Sequence, residues 1–368
     1  MRLMSIDALR GFDMWFIIGS AGGAGLIALI CSALGMPDCA LALQMHHVAW
    51  EGFRHHDTIF PLFLFLAGVS WPFSLASQLE KSRTMKQIHL KIIMRGTILF
   101  AFGLAFGGIF KLIPTFRIPS VLGFIGISWA IAAIMFIHVK KISLRIGIIA
   151  TLLFSYWAIL SFIPAPGAPL NCDTYACEYN IVSYLDRTIM PNHIYKIGRY
   201  DPESLFGIIG GVATALLGMM AGSLLRSDFF SPTKKALALA LGSLGLLLLD
   251  AIFIFALGDK IVKALWTPSF VLSAAAYSSF MLALFYYIID VRAWRSWSFY
   301  FRVIGMNSIT IYLAQRFVGV MHPTNYFFGG IKNAIGGPWG EVAFAAGSLV
   351  IVWAFLYFLY RNKIFLKV

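Results

Sequence analysis

The stretch HHVAWEGFRHHD (residues 46–57) runs directly into TIFPLFLFLAGVSWPFSLASQLE (residues 58–80). The second segment is an apolar run long enough for a bilayer-crossing helix, which needs roughly 20 apolar residues, and it lacks the short alternating pattern of a barrel strand. The first sets His46, His47, His55, His56, Glu51, Arg54 and Asp57 beside it. Ionisable groups are costly next to lipid, so such a cluster points to chemistry. Histidine is also the side chain best suited to moving protons near neutral pH.

Working outward, the whole chain has the same character. Of its 368 residues 60% are hydrophobic and only 12% charged, and the mean hydropathy is +0.81. That leaves too few polar residues to coat a soluble globule of this size. The net charge of +13 does not indicate nucleic acid, because the basic residues are scattered between apolar segments rather than gathered on one face. Expected spans lie at 11–34, 58–80, 95–113, 120–138, 145–163, 204–225, 236–257, 266–289, 303–320 and 339–360. The expected fold is therefore all-α, a polytopic membrane protein of about ten helices in one bundle, with 1–368 a single domain.

Most of the 29 Lys and Arg fall in segments that share a side if the N-terminus is cytoplasmic. The positive-inside rule then places both termini in the cytoplasm and the 46–57 loop outside. Cys172 and Cys177 share that outer side, where disulfides persist, and a small closed loop between them is expected. Cys31 reads as packing in the first span, and Cys39 as a free thiol or a partner for a loop cysteine. No Cys or His spacing indicates zinc, so no metal site is expected. The N-terminus shows no cleavage site, which makes the first span its own insertion signal. The absence of an Asn-x-Ser/Thr sequon favours a bacterial inner membrane over a glycosylated lumen.

Several residues carry both a chemical and a structural reading. Asp7 and Arg10 share a helix face and either grip a ligand or divide into a cap and a headgroup anchor. Asp13 lies deeper among aromatic residues and should face the bundle interior. Asp57 reads as the cap of the helix it opens, a role that does not exclude orienting a histidine. His47 is a candidate general base or acyl-accepting nucleophile. Asp186 with Arg187, and Asp201 with Glu203, suit a hydroxyl-rich or amine-bearing ligand, or else form a surface pair and a helix cap. Asn307 inside a span should bond another helix or a ligand. Arg95 and Arg302 either bind phosphate or anchor the inner face. The Gly207 to Gly211 spacing allows close helix contact, and a homodimer is compatible with the sequence.

Nine segments taken in order carry a resemblance: RLMSIDALRG (2–11), HVAWEG (47–52), DTIFPLFLFLAG (57–68), KIIMRG (91–96), RIPSVLG (117–123), YLDR (184–187), YDPESLFG (200–207), LWTPSFVL (265–272) and GMNSITIY (305–312). Together they resemble the heparan-α-glucosaminide N-acetyltransferase family of transmembrane acyltransferases. The resemblance implies transfer of an acetyl group from cytoplasmic acetyl-CoA, a co-substrate, to the amine of a glucosamine unit across the membrane. Its key histidine falls on His47, with Asp57 beside it as the second catalytic candidate. Arg10, Arg95, Arg302 and Asn307 are the residues expected along the acetyl-CoA path, and Trp50, Glu51, Asp186 and Asp201 those expected to meet the acceptor. Two departures stand out. Gly123-Phe124 replaces the Gln-Arg often found after the RIPxVL run, and Gly19-Ser20-Ala21-Gly22-Gly23 replaces an asparagine near the outer end of the first span.

Acetyl transfer needs a deprotonated amine, a thioester carbonyl within reach and a donor for the developing oxyanion. His47 supplies the first requirement, either in a ternary complex or by carrying the acetyl group itself. Two competing readings are an O-acyltransferase of an envelope glycan or lipid and a transporter of sugars or lipid-linked intermediates. The transporter would show weak internal repeats and paired broken helices, and the two halves carry no convincing similarity.

Overall fold

The computed structural model describes residues 3–111 and 115–366, and the chain is an all-α polytopic membrane protein. In order, the helices are α1 (Met4–Trp15), α2 (Gly22–Ala33), α3 (Ala40–Gln44), α4 (His55–Glu80), α5 (Met85–Gly107), α6 (Val121–His138), α7 (Ile142–Phe162), α8 (Ile181–Ile189), α9 (Ile208–Arg226), α10 (Pro232–Leu257), α11 (Pro268–Phe285), α12 (Ser298–Met306), α13 (Ser308–Phe317), α14 (Met321–Ile335) and α15 (Gly337–Arg361). Their ends follow local chemistry. Thr84 and Gln87 close a capping box at the start of α5. Ser120 and Asn180 accept first-turn amides of α6 and α8, and Pro232 opens α10.

Eight helices are long and apolar enough to cross a membrane: α4, α5, α6, α7, α9, α10, α15, and α11 continued to Val291 by a π-helical turn. They overlap the expected second to eighth and tenth spans, but the third begins at Met85 rather than 95, which sets Arg95 inside α5, and residues 112–113 of that expected span lie outside the described residues. The first and ninth are different. The run 11–34 is broken between Trp15 and Gly22, where Gly19 (φ 88°) and Gly22 (φ 67°) take left-handed conformations natural to glycine. Side chains hold the unwound amides: Gly19 N–H donates to Gln315 Oε1 at 3.3 Å and Ser20 N–H to Ser348 Oγ at 2.8 Å. Asn307, at φ −121° and ψ 21°, likewise divides the run 303–320 into α12 and α13. Then α14 forms where the sequence, with its Pro323 and Gly329-Gly330, reads as a connection.

Contacts between Cα atoms divide the chain into two compact units. The first comprises the segment up to Val48, Arg54–Ile59 and the segment from Leu284; the second comprises Ala49–Phe53 and Phe60–Ala283. In the first unit α1 packs on α12 and α15 packs on α2 and α14. A Cβ on Gly11 would land on the Phe301 carbonyl, and one on Gly305 would land on the Asp7 carbonyl. These two glycines therefore let the backbones of α1 and α12 touch, the small-residue contact common between helices in membranes.

In the second unit α6 packs against α5 and α9, and α7 against α9. The buried core includes Trp129, Trp266 and Phe270. Phe60, Phe124 and Trp266 form a ring cluster with centroid separations of 5.3, 5.1 and 4.5 Å, each such pair adding about 0.5–1.5 kcal/mol beyond burial. The Gly207 to Gly211 spacing serves this unit internally, since a Cβ on Gly211 would meet Ser128 and Phe124 of α6. The closed loop expected between Cys172 and Cys177 is not formed, and all four cysteines are free. Hydrogen bonds pin that loop instead: Asn180 Nδ2 donates to the Thr174 carbonyl at 2.7 Å and Arg187 Nη1 to the Cys177 carbonyl at 3.4 Å.

Candidate functional site

His47 and Asp57 meet within the first unit. The His47 ring presents Nδ1 to Asp57 Oδ1 at 2.7 Å. A carboxylate accepts, so Nδ1 is the donor in this bond. Asp57 Oδ2 accepts the Val48 amide at 3.4 Å, and Arg54 Nη1 donates to the His47 carbonyl at 3.4 Å. Asp57 thus holds the His47 ring and the Val48 amide. It lies in the first turn of α4, its side chain fully buried, and ties the histidine loop to the helix. The His47 side chain is 55% exposed. Around the pair, His56 stacks edge-on against His47 at 4.4 Å, and His55 lies 4.3 Å from Phe16. The His55 amide donates to Gln44 Oε1 at 2.7 Å. His46 is exposed.

The residues expected along an acetyl-CoA path divide between the units. Arg10, Arg302 and Asn307 lie in the first and Arg95 in the second. Arg10 stands 3.6 Å from Asp7. Asn307 is 1% exposed, and both its amide oxygen and its nitrogen lack a partner among the described residues, as does Arg302 Nε. A buried amide with neither atom bonded is costly. Arg95 lies over the face of Trp129 at 4.3 Å, which orients the guanidinium. Lys91 lies within electrostatic reach of Arg95, Arg83 and Lys81, so this end of α4 and α5 is strongly cationic.

The four residues expected to meet an acceptor all fold within the second unit. Trp50 Nε1 donates to the Tyr175 carbonyl at 3.0 Å, and the indole packs edge-on to Tyr200 at 4.9 Å. Glu51 stands 3.5 Å from Lys260, which also donates to Asp173 Oδ2 at 2.9 Å. Asp201 is already filled: Arg117 grips it together with Glu203, and the Tyr195 and Glu203 amides donate to it at 2.6 and 2.9 Å. Asp186 differs. It is 1% exposed, its Oδ1 accepts the Leu205 amide at 3.2 Å, and its Oδ2 has no partner among the described residues. Burial pushes its pKa up to about 7, with the Asp201 charge adding to the rise and the Leu205 amide opposing it. Burial likewise raises Glu203 to about 7 against the pull of Arg117.

Sequence reasoning missed three organising groups. Asp290 accepts the Met4 and Ser5 amides at 3.3 and 3.1 Å, so it caps α1 from the far end of the chain. Arg117 neutralises the Asp201 and Glu203 pair, and its place in the RIPSVLG motif was the only signal. Asp259 accepts from Tyr175 Oη at 2.7 Å and from the Ser269 amide at 2.8 Å, tying the loop after α10 to the start of α11. No group of three or more His, Cys, Asp or Glu among the described residues forms a metal site.

No protein-family model matches the chain. Among curated proteins, the chain is 26% identical along its whole length to heparan-alpha-glucosaminide N-acetyltransferase of Mus musculus. It is 24% identical to the Homo sapiens protein of the same name. The chain spans 60% of the length of these relatives.

Proposed function

This chain is a distant relative of the heparan-alpha-glucosaminide N-acetyltransferases, and from that premise we propose that it is a membrane acetyltransferase in which His47 and Asp57 form the catalytic pair. The donor is acetyl-CoA, and the acceptor is the amine of a glucosamine-type sugar. The observation that carries this reading is the 2.7 Å bond from His47 Nδ1 to a fully buried carboxylate. It is the arrangement a general base needs: an imidazole whose Nδ1 is held and oriented by a carboxylate.

In this reading His47 Nε2 removes a proton from the amino group as its nitrogen attacks the thioester carbonyl. Asp57 stabilises the imidazolium that forms, and the proton then passes to the departing CoA sulfur. Asp186, titrating near pH 7, supplies negative charge to attract an amino sugar's ammonium once the solution is more alkaline than that. Trp50 offers a ring for the apolar face of a sugar. Arg95 with its cationic neighbours suits the phosphates of the donor. Arg10, Arg302 and the unbonded amide of Asn307 suit its remaining polar groups. We assign acetyl-CoA to the cytoplasmic face of a bacterial inner membrane and His47 to the periplasmic side, following the charge distribution of the loops.

The test uses purified protein in detergent with isotopically labelled acetyl-CoA, with and without glucosamine, followed by mass spectrometry for free CoA and N-acetylglucosamine. Acceptor-dependent appearance of both products is the expected result. Folded protein that neither turns over nor binds acetyl-CoA would overturn the proposal in favour of a transporter. Transfer to hydroxyl acceptors alone would move the assignment to an O-acyltransferase. An acetyl-histidine trapped with acetyl-CoA alone would replace the base role of His47 by a carrier role.

A further inference from the structure

Asp250 interrupts a run of α10 that is otherwise apolar, from Leu246 to Leu257. An ionisable side chain inside a membrane-crossing helix needs a partner and is by default a functional feature. Two hydroxyl bonds set the register of α10 against α11: Ser279 Oγ donates to the Leu239 carbonyl at 3.0 Å and Ser243 Oγ to the Ala276 carbonyl at 2.7 Å. That antiparallel register brings Asp250 level with the first turns of α11, where Ser273 Oγ donates to Asp250 Oδ2 at 2.5 Å. Ser269 lies one turn earlier on the same face, and its amide donates to Asp259 Oδ2 at 2.8 Å. The Ser269 side chain therefore stands between two carboxylates.

The charges and hydrogen bonds here do not balance. Ser269 is 0% exposed and Asp250 5%, and neither Ser269 Oγ nor Asp250 Oδ1 has a hydrogen-bond partner among the described residues. Asp259 is buried too, with Oδ1 taken by Tyr175 Oη at 2.7 Å. No basic side chain among the described residues pairs with either carboxylate; Lys260, next to Asp259 in the chain, turns to Glu51 and Asp173. A buried carboxylate without a counter-charge, beside an unbonded hydroxyl, is costly, and buried charges are as a rule paired or bound to a metal ion.

We propose that Asp250, Ser269 and Ser273 bind a sodium ion between α10 and α11. The donors are all oxygens, the ligands that hard cations prefer. Asp250 Oδ1 and Ser269 Oγ bind the ion through their uncommitted lone pairs, and Ser273 Oγ through the lone pair that its bond to Asp250 leaves over. The single negative charge of Asp250 balances a monovalent ion. Calcium would take roughly six to eight oxygens, and Asp259 has both of its own already engaged. Asp259 instead adds negative potential from the next position along. Because Asp259 also holds Tyr175, the ion steadies the loop between α7 and α8 as well as the contact of the two helices.

The experiment titrates the purified full-length protein, in detergent at alkaline pH, with sodium chloride against choline chloride at constant ionic strength. Thermal unfolding and the binding of radioactive sodium are the readouts. With sodium but not choline the melting temperature should rise by about 1–4 °C and then saturate, and radioactive sodium should bind saturably. Asp250→Asn should abolish both responses. Ser269→Ala should raise the half-saturating sodium concentration by about tenfold. Asp228→Asn, exposed between α9 and α10, should keep the response of the unaltered protein. Equal melting in sodium and choline without saturable sodium binding overturns the proposal, as does an undiminished sodium response in Asp250→Asn. Saturation by calcium where sodium is inert overturns the assignment of a monovalent ion. Sodium binding by the unaltered protein decides the matter if a variant does not fold.

Discussion

The exposure of His47 and the complete burial of Asp57 define what each residue can do. A carboxylate with no exposed surface and both oxygens bonded has no capacity left for a substrate, so its work passes through the imidazole. His47→Ala is accordingly expected to lower acetyl transfer by about 10²–10⁴-fold, and to lower the melting temperature as well, because the buried Asp57 carboxylate loses its ring partner. Asp57→Asn should approach that loss, since an amide cannot hold the same tautomer; full activity in a monodisperse Asp57→Asn protein would remove Asp57 from the mechanism. Asp186 gives a prediction in pH. Its folded pKa of about 7 lies above the unfolded value, so the folded state binds the proton more tightly. Its contribution to stability is favourable at acid pH and declines as pH rises from about 4 through 7. Asp186→Asn should therefore be more stable than the unaltered protein at pH 8, by up to about 4 kcal/mol. The difference should vanish near pH 4, as thermal melts across that range will show. At this scale the sequence is informative about His47 because a single motif contains it, and about Asp57 because it opens an apolar run. It is silent about Asp290, whose carboxylate serves amides more than 280 positions away.

Among the elements, the long apolar runs of α4 to α7, α9 to α11 and α15 are legible because length and composition suffice to identify them. The breaks in the first and ninth spans are not. Gly19 and Gly22 read as ordinary small residues of a membrane helix until Gln315 and Ser348 are found bonded to the unwound amides. Asn307 reads as one polar residue in a helix, whereas it separates two. The contact of α1 with α12 depends on the absence of side chains at Gly11 and Gly305. Gly11→Ala or Gly305→Ala should each cost about 1–3 kcal/mol through overpacking. A lowered melting temperature is expected for both, while Gly147→Ala, with open space around it, should leave the melt unchanged. If Gly11→Ala melts with the parent protein, the backbone contact does not hold α1 in place.

For the whole molecule the central expectation is sidedness. In sealed vesicles of one orientation, acetyl-CoA should support transfer only when supplied on the face that carries Lys81, Arg83 and Lys86, and the amino sugar only on the opposite face. Equal activity with both reactants on one side would show that the protein works at a single surface. The broken first span has a further consequence, for the order in which the molecule is made. Each half, α1 and α2, has 12 residues and is about 18 Å long, well short of the roughly 30 Å hydrocarbon core. The amides exposed between them find their acceptors in Gln315 and Ser348, 296 and 328 positions later. At 5–20 residues per second, ribosomes need roughly 15–65 seconds to reach Ser348 after Ser20 has emerged. For that interval the nascent N-terminal segment must shelter with water, lipid headgroups or the insertion machinery. Completion of the first span is therefore an event of late translation, although its residues are among the first to be made.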